Sequence, residues 1–487
     1  MSIDYEIRTG EDAKGHYIMV RSGNKAKHFA IHRNFTRRDK EGNSYTEKIT
    51  KNLIPLIENS ISKKGITEGF IIYEDDLNNN VKLTDIKHKL QKKEINFTST
   101  GEKLDFHWPI FWKLKETNYS SIIRATLTLH QVCSSRCPFC STINRNKKDS
   151  ITLEEAKDFV KKLYIDQANF NKKNFTKYND AYKKISGSDI RLKGLILSGG
   201  GQPNLWPHFS EFVEWLSTLD IDLGLITNGF PKNVDDKIYD KFKWIRLSIT
   251  PEDASPFYPN QRFDLQRIPD NVLNSKSTFG LSYVYGPWTN DELLSRLINT
   301  AESWKVNYLR LLTDCNLGRA EQLKSHKNLA EKLHQLNVIS ETGKNKGSTF
   351  HQLKYHGTRE EALDIWDEGK CFLQTYNVFW DTTGHEVAGK SYCYPCDSVT
   401  VLNEDGSETD SERSFNSKKW GTVTNDQVNK LYEEEWKKYF DPRENCAACL
   451  FMKNNKKVKE LIATNYNQVE INKNFPQNVD IDHINFP

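Results

Sequence analysis

The order of short apolar runs and amphipathic stretches between residues 121 and 314 constrains this chain more than any other feature. "SSIIRATLTLHQV" reads as a strand with partial alternation. "SITLEEAKDFVKKLYI" opens a helix, with Thr152 as N-cap and Glu155 three residues on completing a capping box. "LKGLILSGGGQP" is a buried strand ending in glycines, "HFSEFVEWLSTL" an amphipathic helix, and "IDLGLITNG" and "WIRLSIT" are strands. "STFGLSYVYG", "NDELLSRLINTAESW" and "VNYLRLLTD" continue as strand, helix, strand. Six short apolar strands with helices between them imply a parallel α/β sheet. Such a sheet gathers ligands beyond the carboxyl ends of its strands. The stretch 166–190, rich in Asn and Lys, reads as an insertion into this pattern.

At 487 residues the chain is too long for one hydrophobic core, so two or three domains are expected. The alternating region is bounded as 119–340. Residues 1–118 form an N-terminal accessory α+β domain of unnamed fold, in which "GFIIYEDDLNNN" is a strand closed by a polar turn. Residues 341–487 form a cysteine-bearing tail, reached through the Gly- and Lys-rich linker "SETGKNKGSTF". A hydrophobic fraction of 37% and a charged fraction of 28% suit a soluble protein with a polar surface. There is no run of 18 apolar residues and no apolar leader core after the first Met, so no membrane is expected as a partner and the chain is placed in the cytoplasm. Sixty-nine Lys and Arg against 65 Asp and Glu give no global nucleic-acid signal. One local bias exists: residues 21–40 hold seven basic side chains against Asp39 alone, which reads as a solvated face or as a contact for an acidic peptide or phosphate.

The nine cysteines are clustered rather than spread. A reducing compartment and a long chain argue against a disulfide framework and for metal or redox chemistry. Cys133, Cys137 and Cys140 stand as C-x3-C-x2-C in "HQVCSSRCPFCST", immediately after the first strand. A closed structural metal site wants four ligands, whereas a catalytic one keeps a position open. Three thiolates on one loop hold three corners of a cubane cluster and leave the fourth iron for an exogenous ligand. His130 is the one nearby candidate for a fourth ligand to a zinc ion instead.

The motif resembles the signature of radical S-adenosylmethionine (SAM) enzymes, and the resemblance spans roughly residues 120–315. Phe139 precedes the last cysteine, where that family commonly has an aromatic. "SGGGQP" is similar to the family's Gly-Gly-Glu-Pro stretch after the second strand, with Gln202 in place of the usual Glu. "ITNG", with Asn228, resembles the third strand's ending, and "RLSIT", with Ser248, the fourth. The resemblance implies a partial (β/α)6 barrel and a [4Fe-4S] cluster on Cys133, Cys137 and Cys140 whose open iron binds the amino and carboxylate groups of SAM. It further implies reductive cleavage of SAM to a 5′-deoxyadenosyl radical that abstracts hydrogen from a substrate. Phe139, Gly199, Gly200, Gly201, Gln202, Asn228, Ser248, Arg262 and Leu312 are the implied cofactor contacts. The glycines lack a Cβ and let backbone approach closely, while a bidentate Arg262 suits the SAM carboxylate. Leu311 and Leu312 are candidates for packing the adenine. Tyr283 and Tyr285, alternating with Val284, are candidates for facing the substrate.

In the tail, Cys371 precedes a hairpin around "TTG", followed by Cys393, Cys396, Cys446 and Cys449. Paired C-x2-C grips suit zinc, though the 49 residues between the pairs exceed a ribbon-like spacing. "DTTGHEVAGKSYCYPCD" resembles the hairpin of the SPASM or shorter twitch domains that carry auxiliary clusters. That likeness implies one auxiliary [4Fe-4S] cluster on Cys371, Cys446, Cys449 and either Cys393 or Cys396. Cys315 reads as a buried core thiol. The implied partners are a flavodoxin- or ferredoxin-like electron donor and a substrate. A peptide or protein side chain is the first reading of that substrate, captured by strand addition at the N-terminal region. A small molecule, nucleoside or tRNA is the second, with nucleic acid the less favoured partner. A non-catalytic cluster or zinc protein is the third.

Overall fold

The structure is a computed structural model. It describes residues 5–12, 15–22, 70–73, 101–135, 137, 139, 140, 142, 145–249, 268–274, 277–314, 317, 319–336, 350–353, 371–382, 386, 391–394, 396, 423–436, 442–445, 449, 451–466 and 483–487. Arg262, Cys315, Cys446, residues 23–40 and the hairpin tip at Thr383 and Gly384 lie outside the described residues.

The chain divides into two compact units. The first comprises residues 1–96, 334–346 and 465–482. Its described strands are β1 (Tyr5–Asp12), β2 (Gly15–Ser22) and β3 (Phe70–Tyr73), an antiparallel sheet in the order β1-β2-β3. The apolar "FIIY" stretch expected as a strand is β3.

The second unit comprises residues 97–333, 347–464 and 483–487. Its strands are β4 (Arg124–Leu127), β5 (Gly194–Leu197), β6 (Asp222–Thr227), β7 (Trp244–Ser248), β8 (Thr278–Tyr285), β9 (Tyr308–Thr313), β10 (Phe350–Leu353), β11 (Asn377–Asp381) and β12 (Tyr392–Tyr394). They form one sheet in the order β10-β9-β8-β7-β6-β5-β4-β11-β12. Every neighbouring pair from β10 to β11 is parallel; β12 alone runs antiparallel. β4 to β9 are the six strands read from the sequence, laid side by side in chain order. The sheet also extends at both edges with strands from beyond residue 340. β4 and β5 are buried along their whole length, which is why they read as continuous apolar runs rather than alternating ones.

Helices cover the sheet for reasons visible in the sequence. Trp108–Thr117 (α1) ends at Asn118, whose φ of 62° is the left-handed cap conformation. Leu153–Lys161 (α2) begins with the expected capping box: the Thr152 hydroxyl accepts from the Glu155 amide, and the Glu155 carboxylate accepts from the Thr152 amide at 2.7 Å. The segment read as an insertion is not loose. One π turn carries α2 into Gln167–Asn174 (α3), followed by Thr176–Ser186 (α4). Its polar residues are structural. The Gln167 amide bonds both the N–H and the C=O of Ile122, at 2.7 and 2.8 Å. Asn171 Oδ1 accepts from Lys113 Nζ at 2.7 Å. Phe209–Leu216 (α5) buries Phe209, Phe212, Val213 and Leu216, the i, i+3, i+4, i+7 stripe of a core-facing helix. Asp291–Ser303 (α6) is capped by the Asn290 side chain, which accepts from the Leu293 amide.

Residues 483–487 close the strand-start end of the sheet. Arg124, first in β4, donates to the Pro487 carbonyl at 2.6 Å. A Cβ on Gly194, first in β5, would stand 2.3 Å from the Asn485 carbonyl oxygen. Asn485 donates to Asp222, first in β6, at 2.8 Å. Phe486 packs edge-on against Trp244, first in β7, and touches Ile196. His483 meets the Thr278 hydroxyl, first in β8, at 2.7 Å. This five-residue segment thus reaches five consecutive strand starts.

Candidate functional site

The cysteine loop leaves β4 and the glycine loop leaves β5, and the parallel pairing of those strands brings both loops to one edge. They are joined by main chain. The Gly201 amide donates to the His130 carbonyl at 3.0 Å and the Gln202 amide to the Val132 carbonyl at 2.7 Å. Gly199 and Gly200 take φ of 82° and 48°, open to glycine at little cost. A Cβ on Gly201 would lie 2.0 Å from the Val132 carbonyl oxygen, and one on Gly200 2.5 Å from the Gln131 side chain. Within the chain, these close approaches serve the cysteine loop.

Side chains complete the junction. Gln202 accepts from the Ser134 hydroxyl at 2.7 Å and donates to the Gly229 carbonyl at 3.3 Å. His130 is buried, with Nε2 donating to the Gln202 carbonyl at 2.7 Å, so the imidazole is already committed. Burial holds its pKa below the ordinary histidine value. Arg145, which sequence reasoning missed, reaches Cys140 Sγ at 3.2 Å, Thr142 Oγ1 at 2.9 Å and the Gly200 carbonyl at 2.6 Å through one nitrogen. Asn228 Nδ2 lies 3.5 Å from Cys133 Sγ and 2.7 Å from Ser135 Oγ. Burial pushes the Cys133 thiol up, against the pull of the Ser135 amide and the Arg145 charge.

A cavity of about 240 Å³ opens beside this loop. Cys137, Phe139, Asn228, Ser248 and Leu312, all singled out in the sequence, line it together. They come from the ends of four different strands, β4, β6, β7 and β9. Phe139 also packs on Trp288, ring centroids 5.3 Å apart. Ser282, Val284, Arg246 and Arg310 line the cavity as well and were not anticipated. Register explains the miss. Ser248 pairs with Ser282, and Val284 with Leu312, so even-numbered positions of β8 share the cavity face. Tyr283 and Tyr285, expected there, are buried on the alternate positions, and the Tyr283 hydroxyl bonds Thr289 Oγ1 at 2.7 Å. The same parity separates Leu312 from the fully buried Leu311. The signal for the arginines was present: "WIRLS" and "YLRLL" each set one arginine mid-strand among apolar neighbours, an expensive place for an unused charge. A larger hollow of about 670 Å³ runs along α6, but that helix alone lines it, so no groups converge there.

In the tail, β11 and β12 form the expected antiparallel hairpin arms. Cys371 and Cys393 are buried; Cys396 and Cys449 are half-buried. Burial pushes the Cys371 thiol up, and the neighbouring sulfurs of Cys396 and Cys449 push it further. Cys393 is also pushed up by burial, but its charged neighbour is Lys162 rather than another cysteine. Asn455 Nδ2 lies 3.6 Å from Cys449 Sγ. Among the described residues no group of three or more His, Cys, Asp or Glu side chains is spaced to hold a single metal ion. Nor is any described helix long and apolar enough to cross a membrane.

No family model matches this chain, and no curated protein matches it in sequence. Solved structures that resemble it include SuiB of Streptococcus suis bound to S-adenosylmethionine, at 13% identity and a TM-score of 0.41, covering 81% of this chain and 83% of that one. SuiB bound to its precursor peptide SuiA aligns at 13% identity and a TM-score of 0.40, over 80% and 82% of the two chains. BtrN in complex with AdoMet and 2-DOIA aligns at 10% identity and a TM-score of 0.30, over 73% and 97%. These likenesses are loose.

Proposed function

We propose that this chain is a radical SAM enzyme with a partial (β/α)6 barrel and a C-terminal auxiliary-cluster domain. One observation carries the reading: Cys137, Phe139, Asn228, Ser248 and Leu312, from four strand ends, line a single cavity beside a loop of three cysteines. The donor set fits the group, because three thiols stand on one loop with N–H groups of Arg145 and Asn228 directed at two of the sulfurs. When bound, a reduced [4Fe-4S] cluster with SAM on its open iron supplies a 5′-deoxyadenosyl radical that takes hydrogen from a substrate. Cys133, Cys137 and Cys140 hold the cluster. Phe139, Asn228, Ser248 and Leu312 hold the adenosine end, and the backbone of Gly199, Gly200 and Gly201, with Gln202, holds the loop and the amino-acid end. Arg262 is assigned to the SAM carboxylate. The cavity walls keep water from the reacting atoms.

Cys371, Cys396, Cys446 and Cys449 hold the auxiliary cluster in this reading, with Cys393 a buried core thiol. The mutual influence of the Cys371, Cys396 and Cys449 sulfurs supports that choice. The substrate is a peptide or protein side chain, and a flavodoxin- or ferredoxin-like protein donates the electron in the cytoplasm. In support of a peptide, among the described residues β1 and β3 each pair on one side only, leaving backbone for strand addition. The direct test is anaerobic. Reconstituted, reduced protein converts SAM to 5′-deoxyadenosine, and replacing Cys133, Cys137 and Cys140 together by Ala abolishes that conversion while about four irons remain. Protein that binds zinc but no iron and leaves SAM intact refutes the reading.

A further inference from the structure

The cysteine loop closes on itself at its base. His130 forms an antiparallel bridge with Ser150, the Gln131 amide donates to the Asp149 carbonyl at 2.9 Å, and the Ile151 amide donates to the Leu129 carbonyl at 3.1 Å. The three cysteines lie on the outgoing limb of this loop and Arg145 on the returning one. Short turns shape both limbs: the Cys140 amide donates to the Cys137 carbonyl at 3.0 Å and the Arg145 amide to the Thr142 carbonyl at 3.2 Å. From the second turn the Arg145 side chain reaches back to the last cysteine. One terminal nitrogen of its guanidinium donates to Cys140 Sγ at 3.2 Å, Thr142 Oγ1 at 2.9 Å and the Gly200 carbonyl at 2.6 Å. Thr142 is buried, and its hydroxyl stands 3.5 Å from Cys140 Sγ and 3.4 Å from the Gly200 carbonyl. A sulfur, a hydroxyl and a carbonyl from two loops thus meet at one cation.

The charge is the informative part. At Cys133 the neighbouring donor is the neutral amide of Asn228, 3.5 Å from the sulfur. Cys140 receives instead a guanidinium, which stays protonated at every accessible pH. A charge-assisted hydrogen bond is stronger than a neutral one. Net charge and hydrogen bonds to sulfur are two of the levers that set the potential of an iron–sulfur cluster. Reduction adds one negative charge, and a cation beside a ligand sulfur favours the form that carries it. The same nitrogen grips the Gly200 carbonyl, so it also fixes this sulfur against the glycine loop. We propose that Arg145 is a positioning residue of the three-cysteine site, clamping Cys140 to the glycine loop and raising the reduction potential of the cluster held there. This rests on the reading that those cysteines hold the SAM-binding cluster, and it brings that cluster within closer reach of the protein that donates its electron.

The test uses the full chain, reconstituted anaerobically with iron and sulfide. A redox titration followed by electron paramagnetic resonance is run on wild type, Arg145→Lys, Arg145→Gln and Arg145→Met. The signal titrated is the one lost when Cys133, Cys137 and Cys140 are together replaced by Ala. At the wild-type midpoint the ratio of reduced to oxidised cluster falls about tenfold in Arg145→Gln and Arg145→Met, a shift of about 59 mV to lower potential for one electron. Arg145→Lys, which keeps the charge, stays within threefold of wild type. The proposal is overturned if all four chains titrate within threefold of one another, or if Arg145→Lys falls as far as Arg145→Met. Where the neutral variants hold no iron, a cluster retained by Arg145→Lys at the wild-type potential supports the proposal, and iron lost from all three variants overturns it. A wild-type signal that SAM leaves unchanged refutes the radical SAM reading, while the ratios still decide the role of Arg145.

Discussion

Phe486→Ala tests whether residues 483–487 are a working part of the second unit. Phe486 is 6% exposed, lies edge-on to Trp244 at 5.5 Å and 81°, and touches Ile196. Truncating a buried Phe to Ala costs about 3–5 kcal/mol, from lost transfer energy and the cavity left behind. The segment cannot easily slide in to refill the space. Lys103 holds the Phe486 carbonyl at 3.0 Å, Arg124 the Pro487 carbonyl at 2.6 Å and His107 the Ile484 carbonyl at 3.1 Å. A loss near the middle of the range, about 4 kcal/mol, is therefore expected. In a cooperative unit this large it lowers the melting temperature by about 5 °C. Phe486→Leu, which keeps most of the volume, costs about 1 kcal/mol. Equilibrium urea unfolding followed by far-UV circular dichroism measures both, with unchanged slope marking an intact native state. If Phe486→Ala unfolds within 1 kcal/mol of wild type, the segment is not seated against Trp244 and Ile196.

Gly201→Ala drives a Cβ into the Val132 carbonyl oxygen and must part the glycine and cysteine loops; iron retained at the three-cysteine site after anaerobic reconstitution drops to near zero, while Gly187→Ala, strained at its left-handed φ of 74° but with open space at its Cβ and remote in sequence from both loops, costs stability and keeps the iron. Cys396→Ala removes the auxiliary iron and Cys393→Ala leaves it, read as iron per chain in protein already lacking Cys133, Cys137 and Cys140; equal loss from both refutes the assignment of Cys396. His107 and His483 are buried neutral, chiefly by desolvation, with pKa values lowered to about 4 and about 3. The unfolded chain therefore binds the extra protons as pH falls below 6.5, so their contribution is full above 6.5 and is lost toward pH 4 at about 1.4 kcal/mol per pH unit each; His483→Asn flattens the pH dependence of urea stability by about one proton over that window, and an unchanged slope refutes it. Thr152→Ala removes the capping box of α2 and costs about 1 kcal/mol in the same assay.

The strands were legible because burial on both faces forces them into short apolar runs, and a parallel sheet in chain order follows from the helices between. The loop at Cys133 was legible because thiolate spacing carries chemistry that folding alone does not require. Parity was not. "GLSYVYG" is compatible with either set of alternate residues facing the cavity, and only the pairing of Ser248 with Ser282 and Val284 with Leu312 decides it. Composition at 166–190, rich in Asn and Lys, gave an insertion but not its helices or its buried amides. There Gln167 and Asn171 spend their amides on Ile122, Leu163 and Lys113, so their polarity is internal wiring. The edge strand β10 and the pairing of the hairpin strand β11 with β4 were missed, because their partners β9 and β4 lie far away in the chain.

The two ends of the sheet divide the labour in a way that bears on the cavity. At the carboxyl ends, loops held by main-chain bonds and by Arg145 gather the cysteines, where small shifts of backbone would misplace a ligand. At the strand starts, rings and a returning segment fill the space with apolar contact, where packing costs nothing in chemistry. Arg246 and Arg310 stand between these layers, mid-strand among apolar neighbours, where a charge is expensive to bury. Arg246 is held there by the Tyr308 hydroxyl and by the Trp244 ring, 5.9 Å from its guanidinium, so the apolar layer at the strand starts also positions a polar group of the cavity wall.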